Sequence, residues 1–284
     1  MYETFFGLRE PAFSLTPDPR FLWPSETHQE GLSALYYGVV SRKGFLLLTG
    51  GIGTGKTTLL RAVMAKIPAD TETALVMNTA DLSGKGLFKL IAAELRIGGR
   101  LETKADYIIA LNALLLERLR AGLNTVLVID EAQNLRQSTL EEVRLLSNLE
   151  TDAEKFLQIV LTGQPELLSK LADPRLRQLR QRIAVEHHLK PLLPTEVISY
   201  LSHRIDVAGG RYSDIFEPGA DSVFFSFSQG CPRLISLLAD RVLLSAYARQ
   251  ARPVPRSLVE EKAKEIAETH ARAPYDPECG VPEP

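Results

Sequence analysis

Three features of the sequence predict an α/β fold, with a parallel sheet wrapped by helices and a smaller all-helical part after it. Short apolar runs alternate with amphipathic helical stretches between residues 44 and 189. A glycine-rich break, GGIGTGKTT (50–58), joins the first run to the helical stretch that follows. Beyond KPLLP (190–194) only helical patterns remain.

The runs are GFLLLT (44–49), TALVMN (73–78), TVLVIDE (125–131), FLQIVLTG (156–163) and AVEHHL (184–189). The first four are fully apolar over their centres, which suits strands buried on both faces. Between them, LLRAVMAKI (59–67), GLFKLIAAEL (86–95), YIIALNALLLERLRA (107–121) and STLEEVRLLSNL (138–149) carry apolar residues at i, i+3, i+4. Repeated strand–helix–strand units give a parallel sheet. Upstream, Pro11, Pro17, Pro19 and Pro24 forbid a long helix. Residues 1–30 therefore read as an extended arm with aromatic anchors, leading into a helix through HQEGLSALYYGVVSR (28–42). Downstream come PTEVISYLSHRIDVAG (194–209), DSVFFSFSQ (221–229), PRLISLLADRVLLSAYARQ (232–250) and RSLVEEKAKEIAETH (256–270). The expected divisions are 1–43 for arm and first helix, 44–193 for the α/β core and 194–270 for the helical part. The Pro-rich tail, 271–284, is expected to be disordered.

The 284 residues are 45% hydrophobic and 24% charged, as in soluble globular proteins. The formal net charge of -2 argues against a broad nucleic-acid-binding surface. A local basic face remains open, from Arg61, Lys66, Lys85, Lys89, Arg96, Arg100 and Lys104, with a solvated surface as the simpler reading. Cys231 and Cys279 have no metal-ligand spacing and read as free thiols in a reducing compartment. The start, MYETFFGLRE, lacks a signal-peptide pattern. No run approaches the ~18 apolar residues of a membrane span. A cytoplasmic protein without a transmembrane segment is the expectation.

Gly50, Gly55, Lys56 and Thr57 satisfy G-x-x-x-x-G-K-[ST] between a predicted strand and a predicted helix, the context this phosphate-binding motif requires. Backbone N–H groups converge on a phosphate only where side chains stay out of the way. The helix N-terminus adds partial positive charge. Gly50, Gly51, Ile52, Gly53, Thr54, Gly55, Lys56, Thr57 and Thr58 are thus expected to hold a nucleoside triphosphate. Lys56 should reach the β- and γ-phosphates, and the Thr57 hydroxyl should coordinate Mg²⁺.

VLVIDEAQ (126–133) delivers Asp130 and Glu131 at the carboxyl end of a strand, where ligands bind in open α/β sheets. Asp130 is suited to hold Mg²⁺ through water, and Glu131 to polarise an attacking water. That pairing favours ATP hydrolysis over nucleotide storage. Where FLQIVLTG ends, Thr162 or Gln164 reaches the same edge as a γ-phosphate sensor, with a strand-end hydrogen bond as the alternative.

Arg175, Arg177, Arg180 and Arg182 crowd DPRLRQLRQRIAVEHHL, either as a solvated face or as donors to a neighbouring subunit's γ-phosphate. For the second role Arg182 is the first choice and Arg180 the second. His187 and His188 read as strand residues. In SQGCPRLISLLADR, Gly230 and Pro232 suit a tight helix entry. Arg233 then sits in the first helical turn, unfavourable for a purely structural cation, which suggests that it faces a nucleotide.

These motifs in this order resemble an AAA+ ATPase. FFGLREPAFSLTPDPRFLWPS, HQEGLSALYYGV, GFLLLTGGIGTGKTTLLR, LQIVLTGQPELLSKL and LRQRIAVEHHLKPL are similar to the general secretion pathway protein A (ExeA) family over about residues 1–268. The resemblance implies a five-stranded sheet of order 5-1-4-3-2 with a small helical lid, ATP and Mg²⁺ as cofactors, and assembly into homo-oligomeric rings or filaments. It also implies Arg182 as an arginine finger acting in trans, Arg233 as the lid sensor, and Phe13 and Leu15 as adenine contacts or core residues. Secretion members often continue into a transmembrane helix and a peptidoglycan-binding part, and this chain ends after the lid. Two functions follow. One is an ATPase that drives assembly of a secretion or cell-envelope complex, at the inner membrane through a partner protein. The other is an ATP-dependent regulator that forms filaments on duplex DNA and recruits a transposase.

Overall fold

The structure is a computed structural model that describes residues 1–77, 82–147 and 155–271, with residues 270 and 271 described by backbone alone. The tail 272–284 and the end of STLEEVRLLSNL lie outside the described residues.

The helices are α1 (Tyr2–Phe6), α2 (Glu26–Val40), α3 (Lys56–Met64), α4 (Gly84–Glu94), α5 (Lys104–Arg120), α6 (Gln137–Leu146), α7 (Pro165–Leu171), α8 (Arg177–Arg180), α9 (Pro194–Val207), α10 (Tyr212–Ile215), α11 (Ala220–Ser228), α12 (Pro232–Ala248) and α13 (Arg256–Ala271). The strands are β1 (Phe45–Gly50), β2 (Thr71–Val76), β3 (Asn124–Ile129), β4 (Gln158–Gly163) and β5 (Ile183–Leu189). Two compact units result. One contains Met1–His28, Gly51–Leu59 and the chain from Lys190 onward; the other contains Gln29–Gly50 and Leu60–Leu189.

The second unit holds the sheet, in the order β2-β3-β4-β1-β5. This is the expected 5-1-4-3-2 order read from the other edge. Every pairing is parallel, so all strands end on one side. The three central strands β1, β3 and β4 are buried at every position, which their unbroken apolar runs require. The edge strand β5 alternates half-buried and exposed residues up to Leu189. TALVMN departs from the expectation of burial on both faces. Its strand, β2, is the other edge and is fully buried only at Ala74 and Val76. Leu47, Leu127, Ile129, Ile159 and Leu161 form one core with Leu87, Ile91, Leu111, Leu140 and Val143 of the flanking helices.

The first unit joins the amino-terminal arm to the helices after Lys190 through one core. Tyr2, Phe6, Phe13 and Phe21 pack with Leu201, Ile205, Phe216, Phe224 and Leu238. The arm is not extended throughout, as its prolines suggested. YETFF lies ahead of the first proline and forms α1, which Gly7 closes in the left-handed conformation at φ 75°. A 3-10 turn, Pro19–Phe21, follows with Asp18 as its cap and proline at its first position. Arg204 on α9 fastens the arm, donating from Nε to the Ala12 carbonyl at 2.7 Å and from Nη2 to the Ser14 carbonyl at 3.0 Å. Its guanidinium also lies over the ring of Phe21, 5.2 Å from the centroid. Phe13 is therefore a core residue, whereas Leu15 is 51% exposed. The short α10 has no helical period in the sequence, because its four residues are too few to show one.

Candidate functional site

In the first unit, the loop after β1 is held by its own side chains and by the starts of α2 and α12. Gly53 and Gly55 take positive φ, 76° and 99°, which curls the backbone between them. Lys56 Nζ and Thr54 Oγ1 donate to the Gly51 carbonyl at 3.0 and 2.9 Å. From the arm, buried His28 places Nε2 3.0 Å from the Thr54 carbonyl and Nδ1 2.6 Å from the Ser25 hydroxyl. A carbonyl only accepts, so Nε2 carries the proton. From the start of α12, the Arg233 amide donates to the Gly53 carbonyl at 3.2 Å, and Cys231 Sγ donates to the Ile52 carbonyl at 3.4 Å.

The glycines explain how these partners come so close. A Cβ on Gly53 would stand 2.5 Å from Arg233 Cβ and 3.0 Å from Cys231 Sγ; one on Gly55 would stand 3.1 Å from His28 Nε2. Gly230, at φ 79°, lets the entry to α12 pass Leu192, whose carbonyl oxygen would be 2.0 Å from an added Cβ. Pro232 opens α12, and the Arg233 side chain is exposed in its first turn. The amides of Gly53 and Gly55 donate to no acceptor among the described residues. Bare backbone, two free amides, a buried lysine and the half-buried hydroxyls of Thr57 and Thr58 at the N-terminus of α3 fit a triphosphate.

In the second unit, the carboxyl edge of the sheet gathers the acidic pair. The register aligns Ile129 with Leu161, and Leu48 with Thr162, so β3, β4 and β1 run out side by side. Asp130 is buried, and its Oδ1 accepts from the Thr162 hydroxyl and, at 2.9 Å, from the Glu131 amide. Glu131 sits at φ 52°, left-handed for a residue with a side chain, and turns the chain into the 3-10 turn Ala132–Asn134. Its Oε2 accepts from Gln133 Nε2 at 2.5 Å and from Gln164 Nε2 at 3.2 Å. The Gln164 amide donates in turn to Gln133 Oε1 at 3.1 Å. Thr162 and Gln164 thus divide the carboxylates between them, one on Asp130 and one on Glu131. Gln133 was not anticipated. Its role depends on the left-handed turn at Glu131, and no sequence spacing reports that.

A family model described as an AAA domain matches residues 39–171. General secretion pathway protein A of Aeromonas hydrophila is 42% identical over 268 residues, covering 94% of this chain and 49% of that protein. The chain belongs to the AAA+ ATPases of the general secretion pathway protein A family. It spans about half the length of that relative. Among solved structures, the ORC2 protein of Aeropyrum pernix in its ADPNP–ADP complexes has a TM-score of 0.70 at 17% identity, over 90% of this chain and 71% of that one. Cdc6p of Pyrobaculum aerophilum follows at 0.69 and 18%, over 93% and 74%. The RuvB branch-migration motor of Thermotoga maritima gives 0.58 at 19%, over 86% and 70%. These likenesses are of fold.

On this family scaffold the arginine-rich stretch divides. Arg175 forms an ion pair with Asp173 at 2.8 Å, and its hydrogen bonds hold the Asp173 carboxyl well below the usual carboxylate range. Arg177 and Arg180 are exposed on α8. Arg182 is half-buried, and its guanidinium donates to the hydroxyl of Ser147 at the end of α6. Arg180 has no such tie among the described residues. His187 and His188 lie in β5, with His188 Nδ1 2.9 Å from Thr49 Oγ1. Of the basic residues considered for nucleic acid, Arg100 pairs with Glu102 at 2.6 Å and Lys104 with Glu142 at 2.8 Å.

Proposed function

We propose that this chain hydrolyses ATP with Mg²⁺ as a homo-oligomer, and that the cycle drives assembly of a secretion or cell-envelope complex. The observation that carries the proposal is the carboxylate of Glu131, held by two side-chain amides at the carboxyl edge of the sheet.

In this reading the loop from Gly50 to Thr58 binds the phosphates, and Lys56 turns from the Gly51 carbonyl to the β- and γ-oxygens. Thr57 and Asp130 are the residues that would hold the magnesium. The metal, when bound, neutralises phosphate charge. Glu131 accepts the proton of the attacking water, while Gln164 keeps its carboxylate from rotating. Thr162 keeps Asp130 aimed. Arg233, exposed at the start of α12, reads the nucleotide from the helical part. An arginine of the neighbouring protomer completes the charge stabilisation. Exposure supports Arg180 for this over Arg182, whose guanidinium is already engaged with Ser147.

The 42% identity to general secretion pathway protein A supports a secretion partner, with the chain in the cytoplasm and brought to the inner membrane by that partner. Among the described residues no helix is long and apolar enough to cross a membrane. The test is phosphate release from Mg-ATP over a range of protein concentrations. The expected result is a rate per chain that rises with concentration and is lost in Glu131→Gln. A parent no faster than Glu131→Gln contradicts the proposal.

A further inference from the structure

We propose that Gln133 is a positioning residue for the water-activating carboxylate of Glu131. The inference rests on the hydrolytic reading above and adds a residue that the family resemblance did not supply.

The geometry of its carboxamide carries the argument. Both ends of the amide are engaged: Nε2 donates to Glu131 Oε2 at 2.5 Å, and Oε1 accepts from the Gln164 backbone amide at 3.1 Å. One side chain therefore ties the carboxylate at the end of β3 to the backbone at the end of β4. The Gln133 backbone is fixed as well, since Lys170 Nζ donates to its carbonyl and, at 2.8 Å, to that of Leu135. Room for the amide comes from Gly163, where an added Cβ would stand 2.8 Å from Gln133 Oε1. A glutamine that only capped its own turn would spend its donor on a nearby carbonyl; this one directs it at a carboxylate.

The reason for such a hold is mechanical. Glu131 enters its turn with a left-handed backbone, which sets where its side chain starts but not how the carboxylate is rotated. Two N–H donors on one oxygen, from Gln133 and Gln164, fix that rotation. A base misplaced by about 1 Å loses on the order of a hundredfold in rate. Gln133 touches neither water nor phosphate in this scheme. It acts through Glu131.

The test uses the full chain with Gln133→Ala, Gln133→Met, Gly163→Ala and the Gln133→Ala/Gly163→Ala double variant. Turnover of Mg-ATP is read beside the dissociation constant of the non-hydrolysed analogue ADPNP. Gln133→Ala is expected to lower kcat by roughly 10- to 100-fold and to leave the ADPNP constant within about twofold, because the loop is intact. Gln133→Met, which keeps the volume and lacks the donor, is expected to be as slow as alanine. An added Cβ at Gly163 also stands 2.8 Å from Leu167 Cδ2, so Gly163→Ala is expected to cost turnover in the parent and to lose only part of that cost in the Gln133→Ala background, as coupled residues do. A Gln133→Met chain with parental kcat would make the side chain mere filling and overturn the inference. So would a loss of ADPNP binding that matches the loss of turnover, or full additivity with Gly163→Ala. A parent no faster than Glu131→Gln would overturn the hydrolytic reading and this inference together; a fast parent with an equally fast Gln133→Ala overturns the inference alone.

Discussion

The glycine loop and the acidic strand end are built on opposite principles. In the loop the backbone is the instrument: Gly53 and Gly55 expose amides, and the side chains of Thr54, Lys56 and His28 brace carbonyls around them. At the end of β3 the side chains are the instrument. Asp130 and Glu131 are each oriented by side-chain donors from neighbouring segments, Thr162 for the first, Gln133 and Gln164 for the second. A loop made of backbone is suited to grip a ligand of fixed shape, such as a triphosphate. A pair of oriented carboxylates is suited to move a proton. Damage to the first should therefore appear in affinity, and damage to the second in turnover.

The largest effect should come from Glu131→Gln. Loss of a general base costs about 10²- to 10⁴-fold; phosphate release should fall within that range while ATP affinity stays parental. Lys56→Ala is next. It should weaken ATP binding by on the order of a hundredfold or more, or about 2.7 kcal/mol, measured by calorimetric titration. If it lowered turnover with affinity unchanged, the proposed division would fail.

Gly53→Ala probes the contact between the loop and α12. The alanine would have to adopt a left-handed backbone, at about 1–2 kcal/mol, and its Cβ would meet Arg233 and Cys231. An affinity loss of roughly tenfold, with a lowered melting temperature, is expected from titration and thermal unfolding. An unchanged variant would mean that the contact with α12 contributes nothing to holding the loop. The smallest change belongs to Ser25→Ala, which removes the hydroxyl from His28 Nδ1 and leaves the bond to Thr54. Loss of one hydrogen bond at about 1 kcal/mol should weaken ATP binding a few-fold and leave kcat alone.

The same contrast explains what the sequence revealed. The central strands were legible because burial on both faces demands unbroken apolar runs, and β1, β3 and β4 have them. The loop was legible because its glycines are forced by local geometry. TALVMN misled because an apolar run does not say whether its strand is central or at an edge. The arm misled because α1 is five residues long and precedes every proline. Gln133 and His28 were invisible for another reason. Each acquires its partner through the fold, Gln133 across two strands and His28 across 26 residues of chain. The proposed preference for Arg180 over Arg182 likewise rests on Ser147, 35 positions from Arg182 and without any motif linking them.

In the proposed scheme, gripping and hydrolysing are separable because they reside in different structures. Its most direct test is calorimetric titration of Glu131→Gln with Mg-ATP, since a chain that does not turn over reports binding alone. A saturable heat, one nucleotide per chain, at the affinity the parent shows for ADPNP is expected. No heat from the folded variant, or an affinity weakened in step with its lost turnover, would contradict it.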